Sequence, residues 1–427
     1  MRFLPLLLAV VLVVPACSAT GSSGTVTVLA SWLQNKDGTG EGDRFREVLD
    51  AFESKENIKV NYVGTRALTQ VLQSEVLKGT PPDIAVLSSP GELASLARQQ
   101  YVKPLDTIVA QPEDQYSKQW QELEKVGRDK RYGVAIKADL KSLVWFNPSR
   151  TPRPPDGFGL TGYTWCGGLG GTPDSGWPGT DWIEDILLHQ AGPEAYRKWA
   201  SGQPQAPSTL AVPPVWNNDI VRRAWSTWGE VLAKSNPRSV LLTDFGDAGR
   251  PLFAGTPGCG LDHQPSFIAG VYQGYDEKPL PGKDFDFTAF PGLGSTTKSW
   301  EVSADMAAMF NDTEPARKLI SFLAGPEAQR IWPGRGGAFS VNRKVEPAVY
   351  PNDVSKRIAG TLTASDTLCF DASDLMPATV RTAFYRAVLE YVNAPDREQR
   401  LPGLLAELDQ VSASLSDEWL EVRCGTG

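Results

Sequence analysis

Apolar positions along the chain recur in two periods. Residues 25–30, Thr-Val-Thr-Val-Leu-Ala, alternate in the β-branched manner of a strand, while Phe45, Val48, Leu49 and Phe52 within 43–56 share one helical face. The order repeats with a strand at 58–63, a helix at 68–77 that turns Leu68, Val71 and Leu72 inward, a strand at 83–87, and a helix at 91–100 after Pro90. Alternating β and α elements of these lengths predict a parallel sheet covered by helices on both faces. In such sheets ligands sit beyond the carboxyl ends of the strands, where Ser31, Trp32, Ser88, Ser89 and Pro90 fall.

The pattern then changes. Apolar runs at 132–136 and 143–146 flank Lys137-Ala-Asp-Leu-Lys141, a polar interruption where the chain is expected to cross from one lobe to another. Residues 147–180 are dense in Gly and Pro and predict irregular structure. Helical periodicity returns at 182–190 and at 219–234, where Ile220, Ala224, Trp228 and Val231 form one stripe. Short strands are expected around Cys259, from Leu252 and Phe253 to the run ending at Phe267. Longer ones are expected at 285–290 and 302–310, and helices at 314–324, 326–332, 379–392 and 401–422. No internal repeat is evident.

Ahead of these elements, residues 4–14 are apolar apart from Pro5 and follow Arg2. That run is too short to span a bilayer and predicts the core of a signal peptide, residues 1–17. It closes on Val14-Pro15-Ala16-Cys17, and residues 18–24 form a small-residue tether. No later apolar run approaches the ~20 residues of a membrane-spanning helix. At 427 residues, 41% of them hydrophobic, the exported body is expected to be soluble and to form two lobes. Loss of Arg2 takes the net charge from −8 to −9, which argues against nucleic acid and acidic membrane surfaces as partners.

Setting Cys17 aside leaves four of the five cysteines, an even number that predicts two disulfides in an oxidising compartment. Three connectivities are open. Cys166 with Cys259 and Cys369 with Cys424 is preferred, because each bond then staples one contiguous region and none crosses between lobes. No cysteine pair has zinc spacing and the chain has two histidines, so neither metal nor cofactor is expected.

Catalytic motifs are weak. Gly157-Phe-Gly-Leu-Thr-Gly162 matches a dinucleotide fingerprint literally but follows prolines rather than a strand, and Gly292-Leu-Gly-Ser-Thr-Thr-Lys298 lacks the glycine a phosphate loop places before its lysine. There is no Gly-x-Ser-x-Gly elbow, and His189 reads as a structural histidine in a helix. The aromatic signal is stronger. Thirteen tryptophans is a high count, and Trp32, Trp165, Trp177, Trp300 and Trp332 lie in turn-rich surroundings, whereas Trp199, Trp225 and Trp228 belong to helix cores. An indole face stacks on the C–H face of a sugar ring while nearby polar side chains bond its hydroxyls; half-buried packing is the competing role for each.

The lipobox-like end at Cys17, Gly79-Thr-Pro-Pro-Asp-Ile-Ala85 with Gly91-Glu-Leu-Ala94 and Lys103-Pro-Leu-Asp106, Lys137-Ala-Asp-Leu-Lys141, Gly176-Trp-Pro-Gly-Thr-Asp-Trp182 and Leu323-Ala-Gly-Pro-Glu-Ala328 together resemble bacterial extracellular solute-binding proteins of carbohydrate ABC importers, the α-glucoside-binding lipoproteins in particular. The resemblance implies an α/β, two-lobed periplasmic-binding-protein-like fold of type II, each lobe a mostly parallel sheet flanked by helices. It implies a non-enzymatic monomer, lipid-anchored at Cys17, that captures a sugar and delivers it to permease subunits. The lobes are expected at 25–136 with 287–341 and at 137–286 with 342–427. Carried over by position, the site comprises Trp32, Arg66, Ser89, Asp139, Trp177, Asp181, His263, Gln264, Trp300, Asp305 and Arg335. Asp181 serves equally as N-cap of a helix starting at Trp182. Asp83 precedes its strand and reads as structural. A secreted glycoside hydrolase and a receptor for a peptide or polyamine are the alternatives.

Overall fold

The computed structural model describes residues 24–110, 114–255, 258–364, 367–421 and 423–426. The apolar run, Cys17 and residues 18–23 of the tether lie outside them. The described strands are β1 (Thr25–Ala30), β2 (Lys59–Gly64), β3 (Ile84–Leu87), β4 (Val134–Leu140), β5 (Leu143–Phe146), β6 (Leu261–His263), β7 (Asp286–Ala289), β8 (Ser299–Met309), β9 (Thr367–Phe370) and β10 (Cys424–Thr426). They form a seven-stranded sheet in the order β10-β9-β8-β3-β1-β2 with β4 also on β8, and a three-stranded sheet β6-β5-β7.

The alternating pattern at the start of the chain gives what it predicts. β1 pairs in parallel with both β2 and β3, and the connecting helices Glu41–Glu56 and Leu68–Lys78 bury the apolar faces the periodicity marked, Phe45, Val48, Leu49 and Phe52 on one and Leu68 and Leu72 on the other. The carboxyl ends of β1, β2 and β3 therefore open on one edge of the sheet.

Elsewhere the expectation of mostly parallel sheets is corrected. β8 runs antiparallel to β3 and β4 and parallel to β9, so the large sheet is mixed, and β5 is antiparallel to β6 and β7. Antiparallel neighbours need no helical crossover laid on the sheet. The helix Trp177–Ala191, in the long connection from β5 to β6, packs instead on the helices Asp219–Leu232 and Ala378–Asn393.

One long strand, β8, ties the large sheet together. β8 pairs through Ser299–Val302 with β9 and through Met306–Met309 with β3, and β4 lies beside its middle. Lys137-Ala-Asp-Leu, expected to interrupt the strand, is the second half of β4, after a register shift between Ala135 and Lys137. Other differences are local. The last helix, Arg397–Ala413, stops well short of residue 422, and β9, β10 and the helices Lys118–Leu123, Pro193–Ala200 and Asp353–Leu362 lie where no element was expected.

Both preferred disulfides are present, Cys166–Cys259 and Cys369–Cys424. Trp199, Trp225 and Trp228 are fully buried with Phe384 and Tyr391, as core residues. Asp83 accepts from the backbone N–H and hydroxyl of Thr27, tying β1 to the start of β3. No helix among the described residues is long and apolar enough to cross a membrane.

Candidate functional site

A cleft of about 280 Å³ opens at the carboxyl ends of β1, β2 and β3, where Ser31, Trp32, Arg66 and Ser88 reach it from the turns that follow those strands. Parallel strands put their terminal turns on one edge, which is why residues far apart in sequence converge there.

β4 and β8 supply the floor. Side chains alternate across a strand, so Lys137 and Asp139 of β4 share one face and Lys141 follows on the same alternation; Ser303 and Asp305 do likewise on β8. The register places Lys137 opposite Asp305 and Asp139 opposite Ser303. Lys137 Nζ lies 2.8 Å from Asp139, 3.3 Å from Asp305 and 3.6 Å from Glu41. Burial alone would lower the Lys137 pKa, but the three carboxylates outweigh it and raise it, while burial lifts Asp305 to about 6 against the pull of Lys137.

The facing wall comes from the helix Trp177–Ala191. Gly176 precedes it at φ 107°, and a Cβ there would stand 2.5 Å from the Tyr385 carbonyl oxygen, so only glycine lets the helix start this close to Tyr385. The helix begins at Trp177, which corrects the N-cap reading of Asp181: that residue lies one turn inside, on the face of Trp177. Asp181 Oδ1 is 3.1 Å from Lys141 Nζ, which also pairs with Asp371. Burial pushes Asp181 up to about 7, Lys141 opposing it, and Lys141 holds the equally buried Asp371 below the usual range.

Of the eleven residues expected at the site, Trp32, Arg66, Asp139, Trp177, Asp181 and Asp305 line this cleft and the other five do not. Ser89 sits just behind it, capping the helix Pro90–Arg98 and donating its hydroxyl to the Asp374 carbonyl at 2.7 Å. His263 is buried between Leu143, whose carbonyl is 2.9 Å from Nδ1, and the Trp182 ring; burial drives it to about 4, so it is neutral. The Gln264 carbonyl accepts from the Trp145 indole. Trp300 is packed on β8, and Arg335 is exposed and bound to Glu47 at 2.7 Å. Among the turn-rich tryptophans, Trp165 and Trp332 are core as well, the latter edge-on to Trp32 at 4.6 Å. Trp177 is half-buried and faces the cleft, with Phe245 edge-on at 5.1 Å.

Sequence reasoning missed Glu41, Lys137, Lys141, Asp174, Asp244, Phe245, Phe267, Asp374 and Tyr385 among the lining residues. The two lysines had a signal in the period-two spacing of Lys137, Asp139 and Lys141. The others come from segments that only packing brings to the cleft.

Comparison with known proteins agrees with this geometry. The osmoprotective compounds-binding protein GgtB of Synechocystis sp. is 28% identical over 431 residues, spanning 91% of this chain and 95% of its own. The alpha-glucosides-binding periplasmic protein AglE of Rhizobium meliloti is 28% identical over 421 residues, spanning 91% and 87%. Among solved structures, the bacterial solute receptor AcbH, described with an exclusive preference for β-D-galactopyranose, superposes with a TM-score of 0.73 at 15% identity over 92% of this chain and 99% of its own. The maltose-maltodextrin binding protein of Alicyclobacillus acidocaldarius does so with a TM-score of 0.62 at 13% identity, over 90% and 100%. The fold is thus the two-lobed α/β fold of solute-binding proteins. Residues 35–330 match the model of that family, and the chain belongs to the bacterial extracellular solute-binding proteins, a family of receptors rather than enzymes.

Proposed function

We propose that the chain is the receptor of a sugar ABC importer, that it holds a short α-glucoside or related oligosaccharide in the cleft described above, and that it hands this ligand to permease subunits. The observation that carries the reading is the pairing of a half-buried indole, Trp177, with a wall of carboxyl groups: the ring offers an apolar face to a pyranose, and carboxylates accept from its hydroxyls. The volume of about 280 Å³ is at the small end of ligand pockets, roughly 300–1,000 Å³, which favours one or two rings over a long chain. The name of one relative, for alpha-glucosides, supports the same class. We assign residues 25–136 with 287–341 to one lobe and 137–286 with 342–427 to the other, closing on the ligand by a hinge at β4 and β8. The mature chain is monomeric and held to the outer face of the membrane by acylated Cys17.

A second reading is a cationic solute such as a polyamine, favoured by the excess of carboxyl groups on the wall. A thermal-shift screen of the purified mature chain against neutral α-linked sugars and polyamines separates the two, because a ligand that binds only the folded state raises Tm. A rise with α-linked mono- or disaccharides supports the sugar receptor. A rise with polyamines alone overturns it.

A further inference from the structure

The cleft lining is out of charge balance. Seven carboxyl side chains face it against three cations. Both lysines are already engaged: Lys137 is surrounded by Asp139, Asp305 and Glu41, and Lys141 by Asp181 and Asp371. Arg66, exposed at the rim, has its guanidinium over the Phe245 ring at 5.4 Å. The inner wall is therefore acidic even after its internal pairs are formed, and Asp174 and Asp244 add to it, while burial holds Asp374 well above the usual carboxylate range and Arg381 acts on Asp174 and Asp374 from behind.

Asp181 supplies a second, independent observation. The residue is 3% exposed, Oδ1 takes Lys141, and Oδ2 has no hydrogen-bond partner although it is fully buried. A buried carboxylate oxygen is costly unless a donor reaches it, and a carboxylate can only accept. Asp181 lines the cleft, which places this carboxyl beside the space a ligand fills.

Resting on the sugar reading, we infer that the cleft selects its ligand by charge: it takes neutral, hydroxyl-rich sugars and sugars bearing an ammonium group, it refuses sugars bearing a carboxylate or phosphate, and Asp181 Oδ2 is the innermost acceptor. Hydroxyl and ammonium groups donate to the open carboxylate oxygens. An anionic group brings repulsion from unpaired acids and leaves those oxygens without donors.

The test is titration calorimetry of the mature chain at pH 8 with maltose, methyl α-D-glucoside, methyl 6-amino-6-deoxy-α-D-glucoside and methyl α-D-glucuronide. Expected is binding of the neutral sugars, equal or tighter binding of the amino sugar than of methyl glucoside, and binding of the glucuronide weaker on the order of 100-fold, the scale of like charges brought together in an interface. Raising the salt concentration narrows that gap through screening. Asp181→Asn weakens methyl glucoside binding and narrows the gap on the order of 10-fold; Asp174→Asn, at an exposed position, narrows it by a smaller factor and guards against a folding defect in the first variant. Glucuronide bound as tightly as methyl glucoside overturns the charge selection and leaves the sugar reading standing. Failure of all four sugars to bind overturns both.

Discussion

Asp262 shows how a single buried charge sets a pH limit. It lies on β6, 1% exposed, accepts the Tyr272 hydroxyl at 2.7 Å, and is pushed by burial from 3.8 to about 7, the tyrosine opposing the shift. A carboxyl raised in the folded state favours folding fully below its unfolded pKa, and that contribution is lost as pH rises through the folded value. A shift of about three units corresponds to about 4 kcal/mol lost between pH 4 and 7. Asp262→Asn keeps the acceptor without the charge. Urea unfolding of the variant is expected to show higher stability than the parent at pH 8 and no gain at pH 4; an equal gain at both would remove the titration from the explanation. His189 and His263 act in the opposite sense, since burial holds both near 4 and their contribution is lost as pH falls from 6.5 towards that value. At the same scale, Trp177→Ala removes the proposed stacking face and is expected to weaken sugar binding by about 1.5–3 kcal/mol. Because Trp177 also touches Phe245, a small loss of stability accompanies it. Unchanged affinity by calorimetry would make Trp177 a packing residue.

The element that most exposes the link between stability and site is β9. It has four residues, lies between β8 and the three-residue β10, and leads directly into Asp371, Ser373 and Asp374. A three-residue strand does not hold itself in place, and Cys424 is bonded to Cys369, its register partner in β9. Closing a loop of 55 residues is worth about 4 kcal/mol in the chain-entropy model. Cys369→Ser with Cys424→Ser is therefore expected to lower the unfolding free energy by an amount of that order and to weaken sugar binding, because the segment carrying Asp371 and Asp374 loses its anchor. Denaturant unfolding with less than about 1 kcal/mol of change, or calorimetry with no change in affinity, would separate the disulfide from stability or from the site.

For the whole molecule, the cleft draws residues from both sides of the pair β4 and β8; under the proposed hinge, a ligand touching both walls is expected to bind the closed arrangement better and to shift the population towards it. Small-angle scattering at saturating sugar is expected to show a smaller radius of gyration than without sugar; an unchanged radius at proven saturation would sink the hinge. The proposed anchor is tested at the same scale, since Cys17→Ser in the producing cell is expected to release the chain into the medium, and retention on the membrane would count against acylation.

The alternation from residue 25 to 100 was legible because strand and helix periods are local: each apolar face is written within a dozen residues, and the parallel unit and its ligand-binding edge follow from their order. The disulfide partners were legible by economy of chain. Lys137, Asp139 and Lys141 were visible as a motif but read as a break, since three charges are improbable in a buried strand until Asp305 and Asp371, remote in sequence, neutralise them. β9 and β10 escaped notice because strands so short are specified by their neighbours on the sheet and by a covalent bond. Trp165, Trp177, Trp300 and Trp332 read alike in the sequence, yet Trp300 lies in β8 and Trp332 in the helix Pro326–Arg335, and Trp177 alone among these four faces the cleft. Local spacing determines which face of an element is apolar; which faces meet, and which indole is left open to a ligand, is decided by packing between segments far apart in the chain.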